Sequence, residues 1–403
     1  MAPPRTTAPA PSSRALAFDL IRARGPISRV ELAQLSGFTQ ATMSNVVRQL
    51  LTDGLVVEAG RLESTGGKPR VLLDLDPRSR HAVGVQLGAD RVMLVLTDLA
   101  GELVAHRRLD GVRSEGPAEA VARLADTVSA FLDESGVDRS TVAGLGLVAP
   151  GPLDLDAGTV LGAPPLESWS RFPLRDAVAR ATGLPVILDN DATAAALGEF
   201  WAGSVGDSLA HCTVYVGAGI GVGIVLAGRI YRGASSNAGE LGQVRTRLPG
   251  TAPGERTRTV EELAGPVSVA KHAREALAAG RTGAFTLTPD EDPWGDYAAV
   301  AEAAVAGDPL AGEILAESTG HLADAVVSLA NVLDLDSVVL AGPALTSAGP
   351  LYVDAVRERM ADGFFAHERH GVTVSLSARA ADAAALGGAA LVLQRHVDAR
   401  TVD

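Results

Sequence analysis

Two stretches of this 403-residue chain carry residue types spaced for chemistry. The first runs from Tyr215 to Val244. Glycines at 217, 219, 221 and 223 interrupt an apolar run, and the stretch ends on Asn237-Ala-Gly-Glu240-Leu-Gly-Gln243. Glycine tolerates positive φ and lets backbone N–H groups approach a ligand such as a phosphate. Alternating glycines serve a plain β-hairpin equally well, so both readings stay open at this point. The second stretch is Thr39 to Thr52. Met43, Val46, Val47, Leu50 and Leu51 share one helical face, and Gln40, Ser44, Asn45 and Arg48 the other, with Thr39 and Thr42 at the start. Gln and Asn can bond base edges in bidentate fashion, Arg can read guanine, and Ser or Thr can take a phosphate or a base.

The elements that must position this second face follow from local signals. Ser13 is suited to cap a helix carrying Leu16, Ala17, Leu20 and Ile21, which Gly25-Pro26 stops. Ser28 and Glu31 stand at capping-box spacing ahead of Leu32, Ala33 and Leu35. Ser36-Gly-Phe38 makes a short turn, and Thr39 opens the next helix. Helix, tight glycine turn and helix form a helix-turn-helix, whose second helix enters the major groove. Leu55–Val57 and Val71–Leu73 read as short strands around Thr65-Gly-Gly-Lys-Pro-Arg70, a wing whose Lys68 and Arg70 would lie near phosphates. A protein-binding module of the same fold is the alternative. The polar face, basic wing and basic arm favour double-stranded DNA.

Charge supports this division. Net charge is −13, yet residues 1–80 hold 11 Lys and Arg against 7 Asp and Glu, while the remainder holds 24 against 41. A basic segment on an acidic body meets a polyanion through that segment alone. Residues 1–12, rich in Pro, Ala and Thr, read as a disordered arm without the apolar core of a secretory signal. No apolar run reaches the ~18 residues of a membrane span. Cys212 is the single cysteine, which excludes an internal disulfide framework and a cysteine zinc cluster. The expected compartment is the cytoplasm.

Past the linker Asp76–Arg80, strands alternate with helices, so an α/β body is expected. Three strands are predicted over 82–109, a helix over 116–135, strands over 142–154 and 185–189, and a helix opening at Asn190. A helix from about Glu261, helices over 296–306 and 309–333, a strand Ser337–Ala341, a helix Gly349–Met360, a strand over 371–376 and a closing helix Asp382–Val397 follow. Glycine-rich hairpins near 84–101 and 214–230 form a weak internal echo, as two similar lobes around a cleft would give.

Three motifs carry a resemblance: Gly144-Leu-Gly-Leu-Val-Ala-Pro-Gly-Pro-Leu-Asp154, Leu188-Asp-Asn-Asp-Ala-Thr-Ala-Ala-Ala-Leu-Gly-Glu199, and the Tyr215–Val244 stretch itself. With these the body resembles the ROK family (repressors, open reading frames and kinases) over nearly all of 80–395. Joined to a winged helix, it is similar to that family's sugar-responsive repressors. The resemblance implies a two-lobed sugar-kinase and actin-like ATPase body of ribonuclease H-like type. The expected layout is arm 1–12, winged helix-turn-helix 13–77, lobe 1 over 78–195 completed by the helix 382–398, and lobe 2 over 196–381. Paired recognition helices need a two-fold partner, so a homodimer or homotetramer formed through the body is expected.

In the family's kinases a sugar lies between the lobes and an Asp following an Asn is the general base, which implies a sugar site at Asn190 and Asp191. Glu240, Gln243 and Glu261 match further sugar-contacting positions, with Glu262 the rival of Glu261. A carboxylate accepts from a hydroxyl, and a helix start favours its ionised form, though Asn190 would serve equally as a plain helix cap. Gln243 replaces the family's histidine, and Pro249–Arg258 replaces its cysteine loop, so no metal is expected. His367 and His370 read as a polar surface turn. The first phosphate loop, Asp-x-Gly-x-Thr in the kinases, reads Gln86-Leu-Gly-Ala-Asp90, and Ala218 stands where a phosphate-binding hydroxyl is usual. Gln86 removes a metal-serving carboxylate and Asp90 adds repulsion. No catalytic residue and no cofactor are therefore expected, and the chain reads as a sugar-responsive regulator of carbohydrate genes. The rivals are an active ATP-dependent sugar kinase with a DNA-binding segment and a ligand-independent regulator with a relic cleft.

Overall fold

The computed structural model describes residues 12–62, 70–162, 167–202, 204–206, 208–247, 256–290 and 292–399. The N-terminal part comprises α1 (Ser13–Arg24), β1 (Ile27–Ser28), α2 (Arg29–Ser36), α3 (Gln40–Thr52), β2 (Val56–Leu62) and β3 (Arg70–Leu75). Its strands pair antiparallel in the order β1-β3-β2, the topology of a winged helix. Ser12 caps α1 by accepting from the Ala15 amide, and Ser13, expected as the cap, is already the first helical residue. Ser28 and Glu31 complete the capping box of α2. Gly37, at φ 72°, makes the turn into α3, a left-handed position that a side chain would strain. Phe18, Ile21, Leu32, Met43, Val47, Leu50, Leu55 and Leu73 fill the core between these elements. Each such side chain contributes roughly 1.5–3 kcal/mol by leaving water.

The body begins with β4 (His81–Leu87), β5 (Arg91–Asp98), β6 (Leu103–Asp110), α4 (Pro117–Ser135), β7 (Val142–Ala149), β8 (Leu153–Asp154), β9 (Thr159–Val160), α5 (Leu174–Thr182), β10 (Val186–Asn190) and α6 (Asp191–Trp201). It continues with β11 (Ala210–Val216), β12 (Ile220–Leu226), β13 (Arg229–Ile230), β14 (Arg245–Thr246), β15 (Arg258–Thr259), α7 (Val260–Ala264), α8 (Pro266–Ala278), α9 (Pro293–Val305) and α10 (Pro309–Leu333). It closes with β16 (Ser337–Ala341), α11 (Leu345–Gly363), β17 (Thr373–Leu376) and α12 (Ala383–Ala399).

The two large sheets repeat one plan. The first runs β6-β5-β4-β7-β10 and the second β13-β12-β11-β16-β17. In each, three strands pair antiparallel and two more add in parallel. The echo between the two hairpins therefore belongs to a whole repeated lobe. Parallel strands need covered faces and read as apolar runs, and all five residues of β16 are buried.

The closing helix α12 lies on the first sheet. A Cβ at Gly84 or Gly146 would collide with the carbonyls of Ala385 and Gly388, so glycine permits this close packing. The lobe boundary expected at 195/196 falls inside α6, which packs on α12 and also abuts β12 at Gly221 and Gly223. The single helix predicted from Glu261 is two helices, parted at Gly265-Pro266, because proline supplies no N–H to the preceding turn. Helix α5 carried no sequence expectation.

Candidate functional site

Helix α6 starts in the cleft. Asn190 caps it, with Oδ1 accepting from the Thr193 amide at 3.1 Å. Its other amide atom, Nδ2, faces Gly151: a Cβ there would stand 3.3 Å from Asn190 Nδ2 and 3.1 Å from Glu240 Oε1. Gly151 is thus the floor on which lobe 1 and the turn after β13 come together, and any side chain would fill the space between them.

Asp191 is partly buried, and Oδ1 accepts from the Ala192 amide at 2.8 Å. Burial pushes its carboxyl up to about 7. The Ala192 amide offsets part of this, and the charge of Glu240 adds to it. Burial raises Glu240 too, with Glu261 as the next contributor. Among the described residues none donates a hydrogen bond to the Glu240 carboxylate. Glu261 Oε2 accepts from the Ile220 amide at 3.0 Å, against the glycine stretch. Glu262 faces away: it closes the capping box of α7 with Thr259 and pairs with Arg256 at 2.9 Å. Of the two rivals, Glu261 is the one against the glycine stretch and beside Glu240. Gln243 ends a short 3-10 turn, its amide donating to Glu240 O at 3.0 Å, and its side chain is exposed.

Two further residues were not among the sequence candidates. Asn237 clasps β8 of the other lobe, accepting from the Leu153 amide at 2.8 Å and donating to the Leu153 carbonyl at 2.9 Å. Asp189, buried beside the Asn190 cap, takes both arms of Arg232 at 2.9 and 2.6 Å. The only sequence signal for Asn237 was its place in the Asn-Ala-Gly-Glu run. The Asp189–Arg232 pair spans 43 residues and had none.

Gln86, Asp90 and Ala218, the positions expected to have lost phosphate contacts, lie on β4, the turn after it and the tip between β11 and β12. Gln86 Nε2 donates to the Tyr215 hydroxyl at 2.5 Å, joining the two sheets directly. Burial raises the Tyr215 hydroxyl pKa, so it stays protonated. Asp90 pairs with Arg113 at 2.7 Å on the surface, so its charge is compensated and the repulsion expected from it is weakened. The Gly217 amide is spent on the Gly219 carbonyl at 2.9 Å and the Ile220 amide on Glu261. Ala218 is exposed at the tip. Among the described residues no group of three His, Cys, Asp or Glu could hold a metal ion. His367 and His370 bond Phe364 O and Asp334 at 3.0 and 3.1 Å in a surface turn.

On the winged helix, Thr39 caps α3: its hydroxyl accepts from the Thr42 amide at 3.2 Å and meets the Thr42 hydroxyl at 2.9 Å. Gln40, Asn45 and Arg48 are exposed and Ser44 half-buried, on one continuous face. Arg70 is exposed at the start of β3, and Lys68 lies outside the described residues. The nearby acid, Asp53, is paired with Arg14 at 2.6 Å.

Fold and site together define a winged-helix protein with a two-lobed, sugar-kinase-like body. The ROK family model matches residues 82–395, and the chain belongs to the ROK family. It is 34% identical over 216 residues to the xylose repressor of Caldicellulosiruptor bescii, 54% of either chain. It is 30% identical over 321 residues to the glucokinase of Halalkalibacterium halodurans, which covers 79% of this chain and 96% of that enzyme. A solved ROK family transcriptional regulator, a homologue of the E. coli MLC protein, superposes with a TM-score of 0.75 over 96% of both chains at 24% identity.

Proposed function

We propose that this chain is a sugar-responsive transcriptional repressor: α3 and the wing bind operator DNA, and a sugar binds between the lobes. The observation that carries this reading is the meeting of Asn190 and Glu240 over Gly151, with Asp191 at the start of the same helix and Glu261 beside Glu240. Carboxyls raised by burial, with no cation among their causes, suit a neutral polyol whose hydroxyls donate to them. Gln243, exposed on the same turn as Glu240, is a further proposed sugar contact. The sugar changes operator affinity only to the extent that it binds one lobe arrangement better than another. The relative named for xylose puts pentoses first among the sugars to test.

Phosphoryl transfer needs a metal and preorganised donors for the phosphates. The Gln86–Tyr215 bond and the spent amides of Gly217 and Ile220 support a regulator without kinase turnover. Paired recognition helices call for a homodimer acting on a two-fold operator. Among the described residues no helix is long and apolar enough to cross a membrane, in keeping with a cytoplasmic DNA-binding protein.

The test is selection of a binding site from randomised duplexes, followed by titration of that site with and without a panel of aldoses and their phosphates. A tenfold or larger shift with one sugar is expected, about 1.4 kcal/mol of coupling. Arg48→Ala should weaken operator binding by roughly 1–3 kcal/mol and leave sugar affinity unchanged. ADP release with any aldose would instead favour the kinase, and absence of sugar binding at millimolar ligand the relic cleft.

A further inference from the structure

Helix α6 has one end in the cleft and the other against the DNA-binding domain. It is 11 residues long, about 16 Å at 1.5 Å per residue. Its N-terminal end is Asn190 and Asp191. Its last carbonyls, those of Phe200 and Trp201, accept from Arg22 of α1, the former at 3.4 Å. The Arg22 guanidinium also lies over the Trp201 ring, 4.7 Å from its centroid, and over Phe200 at 5.8 Å. Phe18, one turn earlier on α1, packs on Trp201 at 5.9 Å. A cation at the C-terminus of a helix is favoured by the aligned peptide dipoles, and a guanidinium over indole adds to it.

This junction is incompletely satisfied. Arg22 Nε and Trp201 Nε1 are buried with no hydrogen-bond partner among the described residues. A cavity of about 1190 Å³ opens beside them, between α1, the end of α6, β12–β13 and α12. Arg232, which grips Asp189 next to the Asn190 cap, lines the same cavity. A contact with unmade hydrogen bonds beside open space has room to rearrange, and a rigid helix carries displacement from one end to the other.

We propose that α6 is the rod that couples the two sites and that Arg22 is the positioning residue through which the DNA-binding domain senses the cleft. Sugar contact at Asp191 shifts α6 along or about its axis. The carbonyls that Arg22 holds move with it, and α1 follows, carrying α3. The inference rests on the repressor reading and concerns how its two sites communicate.

The experiment uses the full chain and its selected operator, comparing wild type with Arg22→Gln and Arg22→Lys. Sugar affinity is read by calorimetry and operator affinity by anisotropy, each with and without the partner ligand. In Arg22→Gln, sugar affinity should stay within about twofold of wild type while the sugar-induced change in operator affinity falls from about tenfold to under twofold, at whichever level the operator affinity settles. By reciprocity the effect of operator on sugar affinity disappears to the same degree. Arg22→Lys, which can still donate to the two carbonyls, should retain part of the coupling and shows that loss in Arg22→Gln is not loss of folding. Coupling equal to wild type in Arg22→Gln overturns the proposal. So does a loss of sugar affinity in both variants, since Arg22 would then act on the folding of the body. A wild type whose operator affinity ignores every sugar that it binds overturns the repressor reading itself, and this proposal with it.

Discussion

Around Gly151 and the start of α6 stand the carboxyls of Asp191 and Glu240, both raised chiefly by burial, with Glu261 beside Glu240. Around Gln86 and the hairpin tip, polar groups are bonded among themselves: Gln86 to Tyr215, Gly217 to Gly219, Asp90 to Arg113, with the Ile220 amide reaching Glu261 where the two regions meet. The second region is built on the matching hairpins β4–β5 and β11–β12, the first on the loop after β7, the start of α6 and the turn after β13. In the first region each of Asp191 and Glu261 holds one backbone amide and Glu240 has no donor among the described residues, and the second is closed by its own hydrogen bonds. Carboxyls with perturbed pKa values and acceptor capacity to spare mark a place where a ligand can supply the missing donors.

The contrast is broken most sharply at Asp191. Asp191→Ala should abolish the sugar effect on operator binding while sugar-free operator affinity stays within about twofold, and a hydrogen bond to a charged group sets the expected loss of sugar affinity at roughly 10- to 100-fold. The pH dependence follows from its position. Because its folded pKa, about 7, lies above the ordinary carboxyl value of 3.8, sugar affinity should fall as pH drops through 7, where the carboxylate gains its proton. Stability of the sugar-free protein runs the other way. The contribution from the protonated carboxyl is complete below the unfolded pKa and is lost as pH rises through about 7. Asp191→Asn should therefore raise the melting temperature at pH 8, and should do so little at pH 4.

Asn237→Ala comes next. Loss of its two bonds to Leu153 frees the turn that carries Glu240, and sugar affinity measured by calorimetry should drop about tenfold, near 1.4 kcal/mol. Tyr215→Phe tests the closed region: about 1 kcal/mol of stability lost in urea unfolding, with sugar affinity within about twofold. A collapse of sugar binding in Tyr215→Phe would mean that the two regions are not independent. Smallest is Glu262→Ala, which removes a cap bond on α7. A loss of about 0.5–1 kcal/mol and no change in sugar affinity are expected, whereas Glu261→Ala should weaken sugar binding.

What the sequence made legible follows a physical line. Local signals sufficed for the winged helix: the Ser28–Glu31 box, the Gly37 turn and the apolar face of α3 lie within a few residues of one another. The doubled lobes left a trace only in two glycine-rich hairpins, because parallel pairing of β16 and β17 leaves no periodic mark. Motifs named Asn190, Asp191, Glu240 and Glu261 as candidates, while the bonds of Asn237 to Leu153, Gln86 to Tyr215 and Arg22 to α6 had no sequence signal. Each of those bonds spans at least 84 residues, and only folding reveals the partner. Asp90 shows the opposite error: its charge was legible, but not the Arg113 that compensates it.

The most direct test is calorimetric titration of the full chain, first with an aldose panel that includes D-xylose and D-glucose, then with the magnesium salt of a non-hydrolysable ATP analogue. The account predicts saturable heat for at least one sugar, lost in Asp191→Ala, and none for the nucleotide. Binding of the nucleotide, with no sugar bound at millimolar concentration, would contradict it.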